Sequence, residues 1–169
     1  MFIAHLPAGY LISKYWVSKF NENKDNGKLL LAIGLFSSIL PDLDLIYFYW
    51  IDNQLHSHHT YWSQIPVFWL GLFLVLLLIS TVTQKQIIKH IIVIAASCII
   101  LHLILDTVVG DILWLYPFNN IPYALFHINP KYRWWVLNFF LHWSFLFEIG
   151  IILVAWQRFL NTRKIVRSE

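Results

Sequence analysis

The chain has 169 residues, of which 59% are hydrophobic and only 12% charged, and its mean hydropathy of +0.62 lies outside the range of soluble globular chains. Twelve Lys and Arg against nine Asp and Glu leave a formal charge of +3, too small and too scattered for a disordered chain, a coiled coil or a nucleic-acid-binding module. The one cysteine, Cys98, excludes an intramolecular disulfide, a thiolate zinc cluster and a CxxC redox pair, so any metal would be held by nitrogen and oxygen.

Met1 to Gly9 lacks the positive n-region of a secretory signal and places His5 and Pro7 where an apolar h-region should run, so it reads as part of the mature fold. The segment up to about Phe20 is too short and polar for a confident span. A hydrocarbon core of about 30 Å needs about 20 helical residues. Lys28 to Trp50 is long enough but is interrupted by Pro41-Asp42-Leu43-Asp44, where proline removes a backbone donor. Pro66 to Val82 is the most apolar run. Ile87 to Val109 carries His90, His102 and Asp106, and Trp134 to Leu160 carries His142 and Glu148. The expected fold is one all-α domain over residues 1–169: an integral membrane bundle of about four transmembrane helices, with a short N-terminal helix tucked against an outer-facing site.

Lysine and arginine set the expected orientation. If the stretch before the second segment, the turn after the third and the C-terminus share one side, ten of the twelve basic residues lie there, and the positive-inside rule makes that side cytoplasmic. Seven of eight histidines then fall in the outer half or outer loops, leaving His90 alone and interfacial near the inner face. Asp42, Asp44, Asp52, Asp106 and Asp111 are outer as well, with Glu148 placed mid-membrane. A carboxylate at the centre of an apolar helix costs about 2.5–3.5 kcal/mol on insertion scales, so each needs a partner, and a shared cation serves several at once.

The spacing agrees. His102 and Asp106 lie four apart, on one helical face; Asp42 and Asp44 flank Leu43 at a break where unwound backbone can aim carboxylates into a cavity. Each element also has a plainer reading: His102 with Asp106 as an ordinary hydrogen-bonded pair, and the Pro-Asp-Leu-Asp stretch as a loop whose carboxylates cap the next helix.

These residues resemble the bacterial membrane-bound metal-dependent hydrolases of the inner membrane. That family's pattern is an early His, then Leu-Pro-Asp-x-Asp, then His-Arg-x-x-Thr-His-Ser, then His-x-x-x-Asp near a Gly. The counterparts are His5-Leu6-Pro7, Leu40-Pro41-Asp42-Leu43-Asp44, and His102-Leu103-Ile104-Leu105-Asp106 followed by Gly110. The third motif departs from the pattern: His59 matches its first His, but Gln64 stands where the second is usual and is a poor metal ligand. Either His58 or His56 replaces it or the site is reduced. His142-Trp143 with Glu148 resembles one subfamily's last helix. A more distant likeness is to zinc-dependent phospholipase C and P1-type nucleases.

The implied site holds one or two divalent ions, zinc or else Mn, Fe or Mg, on His5, Asp42, Asp44, His59, His102 and Asp106. His58, Gln64, His142 and Glu148 form a second tier. Asp44 is the expected general base for water and His59 its catalytic companion, acting on a lipid or small phosphoester at the outer boundary of the bilayer. A metal or proton transporter and a non-catalytic structural protein are the alternatives. No nucleic-acid partner is expected.

Overall fold

A computed structural model describes residues 3–53, 55, 60–129 and 131–168; among them the regular elements are all helices, and the long irregular connection after Thr107 carries a single antiparallel bridge, Ile112 with Tyr123. Helix α1 (His5–Phe20) ends at Asn21, which adopts the left-handed conformation with φ of 49°, a position asparagine tolerates. Two residues later Asn23 caps α2 (Lys24–Ile39), its side-chain oxygen accepting from Asn26 N–H at 2.9 Å. Pro41 then starts a single 3₁₀ turn (Pro41–Leu43) leading into α3 (Asp44–Trp50). A second 3₁₀ turn (Trp62–Gln64) precedes α4 (Pro66–Thr83), which has proline in its first turn. Helices α5 (Gln86–Thr107), α6 (Trp135–Phe140) and α7 (Phe145–Ser168) complete the chain.

Three stretches are long and apolar enough to cross a membrane: α4, α5 and residues 145–162 of α7. The fourth expected span is broken as the proline predicts, α2 and the Pro41–Trp50 stretch meeting at 52°. The last expected span, Trp134 to Leu160, is instead two helices. His142 Nδ1 takes the backbone N–H of Ser144 at 3.3 Å and also meets its hydroxyl at 2.8 Å, and such local side-chain bonds compete with a continuous helix.

Helix α1 is not merely tucked against one end of the bundle. It lies antiparallel to α5 over about four turns: His5 stacks on His102, and Phe20 stacks on His90 at 3.8 Å. Helix α2 completes this central trio, with α4 packed on α5 and α7 on α1. The trio approaches closely because small residues line its seam, Gly9 and Ser13 on α1 against Gly34 and Ser38 on α2, with Cys98 of α5 at 3.4 Å from Ser13 Oγ. Interhelical polar contacts in membranes are worth only about 0.6 kcal/mol each, so the seam acts through backbone proximity more than through hydrogen bonding. Below it, Leu30 and Ile94 are completely buried.

His90 is buried among protein side chains near the start of α5. Its Nδ1 lies 2.8 Å from Glu22 Oε1 and its Nε2 lies 3.0 Å from the Gln86 amide nitrogen, so the α1–α2 turn is clamped to the start of α5. The Asn26 amide and the His90 ring hold the Glu22 carboxyl below its ordinary value. A carboxylate depressed in the folded state contributes stability above the ordinary carboxylate range and loses it as pH falls through the folded value. Lowering pH from about 6 to about 3 is therefore expected to lower the amide protection factors, exchange corrected for its intrinsic pH dependence, around residues 21–26, and Glu22→Gln should abolish that loss of protection. An unchanged loss in the variant would assign it elsewhere.

Candidate metal centre

The helical repeat of α5 puts His102 and Asp106 one turn apart on the same face, and the antiparallel α1 lays His5 across them. His5 Nε2 is 3.0 Å from Asp106 Oδ1, and His102 Nε2 is 3.0 Å from Asp106 Oδ2. The two rings stack with centroids 3.9 Å apart and planes 26° from parallel. All three residues are buried, and each offers a ligand atom within 4.8 Å of the others. The break at Pro41 swings Asp42 to their edge, Oδ1 at 3.5 Å from His102 Nε2 and Oδ2 at 4.0 Å from His5 Nε2, its side chain still 27% exposed.

Hydrogen bonding fixes the tautomer of His102. Its Nδ1 lies 2.8 Å from the Ser38 backbone oxygen, and a carbonyl only accepts, so Nδ1 carries the hydrogen and a neutral ring presents a lone pair at Nε2. That buried Nε2 makes no aligned hydrogen bond, although a carboxylate oxygen stands 3.0 Å away. A proton on Nε2 or a metal cation between them would satisfy two acceptors facing each other. Protonating both imidazoles would stack two positive rings at 3.9 Å, a repulsion of about 4 kcal/mol at an effective dielectric of about 20. With both rings neutral and Asp42 and Asp106 ionised, the cluster carries two negative charges that one divalent ion balances. Two imidazole nitrogens and a carboxylate fit such an ion of the zinc, manganese or iron type, with Asp42 beside a remaining position.

Neighbouring segments hold these groups in place. Glu148 lies in the first turn of α7, near the site end rather than mid-membrane, because α7 begins only after the His142–Ser144 break. Its buried carboxylate accepts from Ile3 N–H at 2.6 Å and Ala4 N–H at 3.1 Å, doing for α1 what its N-cap Ala4 cannot and locking the backbone just before His5. Gln64, completely buried, donates to Asp42 Oδ1 at 3.5 Å. Ser63 Oγ donates to Asp44 Oδ2 at 2.6 Å, while Trp69 Nε1 donates to Ser63 O at 2.7 Å and ties this turn to α4. Asp42 and Gln64 thus serve the histidines, whereas Asp44 and Ser63 line a cavity of about 930 Å³ on the other side.

Of the six expected ligands, His5, His102 and Asp106 converge and Asp42 stands at their rim. Asp44 is outside the converging group, since the 3₁₀ turn points it away from Asp42 and Ser63 holds it at the cavity. His59, His58 and His56 lie outside the described residues. His142 bonds Ser144 instead. Sequence reasoning missed the Ser38 carbonyl, although the last carbonyls of any helix lack intrahelical partners, and Pro41 announces that α2 ends there.

The sequence profile of the YdjM inner membrane protein family matches residues 1–166. No curated protein and no solved structure matches the chain.

Proposed function

The chain belongs to the YdjM inner membrane protein family, and from that premise we propose that it is a metal-dependent hydrolase of phosphoesters working inside the boundary of the inner membrane. The observation that carries this reading is the buried meeting of His5, His102 and Asp106, with the His102 lone pair set by the Ser38 carbonyl. When bound, a divalent cation supplies a Lewis acid that polarises an ester oxygen and brings the acidity of water towards neutrality. The likeness of the Leu40–Asp44 and His102–Asp106 motifs to metal-dependent hydrolases supports the same chemistry.

The chain's own groups divide the remaining work. Asp106 sits between both imidazoles and fixes their separation. Asp42, half-buried and steadied by Gln64, is better placed than Asp44 to accept a proton from water at the edge of the cluster. Against a transport reading, completely buried Leu30 and Ile94 put an apolar layer between Ser13 with Cys98 and the His90 end of the trio. A purely structural role would not call for two imidazoles and a carboxylate from separate helices to be buried together in an apolar bundle.

The site faces the non-cytoplasmic side in this proposal, because Lys19, Lys24, Lys28, Lys85 and Lys89 belong to the opposite end of the trio. Detergent-purified protein is expected to release product from members of a phosphomonoester and phosphodiester panel, including lipid phosphates, and to lose that activity with a chelator and regain it with zinc or manganese. Turnover indifferent to chelation would sink the proposal. Orientation is checked separately with a thiol label at Asn53→Cys, against low background from buried Cys98; labelling only from the cytoplasmic side would reverse the topology.

A further inference from the structure

The cavity beside the metal centre is built for a charge that ester hydrolysis does not require. Its walls come from α3, the turn before α4 and the first turns of α4. Aromatic edges and faces dominate: Tyr47 meets Tyr61 at 90° and 5.5 Å, and Trp62 meets Phe68 at 64° and 4.6 Å. Two carboxylates, Asp44 and Asp52, open onto the same space, and no lysine or arginine lines it among the described residues. Desolvation and then a hydrogen bond to Asp52 push the Tyr61 phenol up to about 12, so it adds no negative charge of its own at neutral pH.

A small inorganic cation would need several oxygens closing around it at about 2–2.5 Å, whereas leucine and aromatic side chains make up most of this wall. A bulky organic cation suits them, because ring faces and carboxylates both attract diffuse positive charge and a space of about 930 Å³ matches a small-molecule site. We infer that this cavity binds an organic ammonium group, carried by an amphiphile whose apolar part continues along Leu40 and Leu72. The chemistry is that of a substituted ammonium, whether on a lipid head group or on a free amine. Binding does not depend on the metal centre.

The test uses the full-length protein in maltoside detergent, first stripped of metal with a chelator so that failure here leaves the hydrolase reading untouched. Quenching of tryptophan fluorescence, with Trp62 and Trp69 at the wall, is titrated with choline, with its uncharged carbon isostere 3,3-dimethylbutanol, and with lysophosphatidylcholine. The ammonium compounds should give saturable changes and the isostere none. Asp44→Asn combined with Asp52→Asn should weaken binding about tenfold or more with an unchanged melting temperature. Tyr61→Phe, which keeps the ring, should weaken it far less. The lysolipid should bind more tightly than choline because its chain continues along Leu40 and Leu72, and equal binding of the two would overturn the amphiphile part of the inference. Equal binding of the isostere, or affinity untouched by the double carboxylate variant in a folded protein, overturns the inference.

Discussion

Purified wild-type protein is expected to carry close to one divalent ion per chain, and Asp106→Asn or His102→Ala to carry less than about a tenth of that, with turnover falling about 100-fold or more. Asp106 is the more informative position. Its carboxylate touches both imidazoles at 3.0 Å, and the asparagine keeps its shape while removing the charge that holds the ion. Were the trio only a hydrogen-bonded or ion-paired cluster, Asp106→Asn would strip a buried partner from both imidazoles and destabilise the protein to the same extent with or without added zinc. A metal centre predicts a loss that depends on the ion: added zinc raises the melting temperature of the wild type and not of the variant, which has lost the stabilisation that binding confers on the folded state. His102→Ala also leaves the Ser38 carbonyl without its donor, costing about 1–3 kcal/mol whether or not metal is present. Metal content, measured beside melting temperature with and without added zinc, separates the two contributions. Full metal retention in both variants would remove the centre altogether.

The convergence of His5, Asp42, His102 and Asp106 was legible because ionisable groups in apolar helices need partners, and helical spacing with one-sided placement limited which partners were available. The number of spans was legible from run length. Other features depended on breaks that neither proline nor glycine marks. The interruption at His142–Ser144 moves Glu148 from the middle of an expected helix to the first turn of a later one, where it holds Ile3 and Ala4. The partner of His90 was missed for a related reason: charge counting locates the membrane boundary but not the α1–α2 turn that folds Glu22 back onto the ring. Asp44 shows the limit of motif spacing. In a 3₁₀ turn, residues two apart diverge, so one carboxylate of the Asp-Leu-Asp stretch serves the histidines and the other the cavity.

The small residues were overlooked although their spacing was visible, Gly9 with Ser13 and Gly34 with Ser38 each being four apart, and they lead to the second large effect. A Cβ at Gly34 would stand 1.9 Å from Ser13 Oγ and 2.9 Å from Ile94 Cγ2, and one at Gly9 would stand 2.3 Å from Ser38 Cβ. No flexible chain end can yield at either place, so Gly34→Ala and Gly9→Ala are each expected to destabilise the bundle by about 1–3 kcal/mol, as overpacking does. Gly71→Ala and Gly150→Ala are the controls, since a Cβ there meets nothing within 4 Å, and in a helix the change should stabilise by about 0.5–1 kcal/mol. Ser13→Gly should recover part of the Gly34→Ala loss, with Ile94 accounting for the remainder. Gly9→Ala reaches further, because the residue it displaces is Ser38, whose carbonyl orients His102. Its metal affinity is therefore expected to drop about 10–100-fold, as when an outer partner of a ligating histidine is lost, while Gly34→Ala weakens the fold with a smaller effect on metal. Equal metal affinities in the two variants, at equal loss of melting temperature, would show that packing of the seam and orientation of the imidazole are independent.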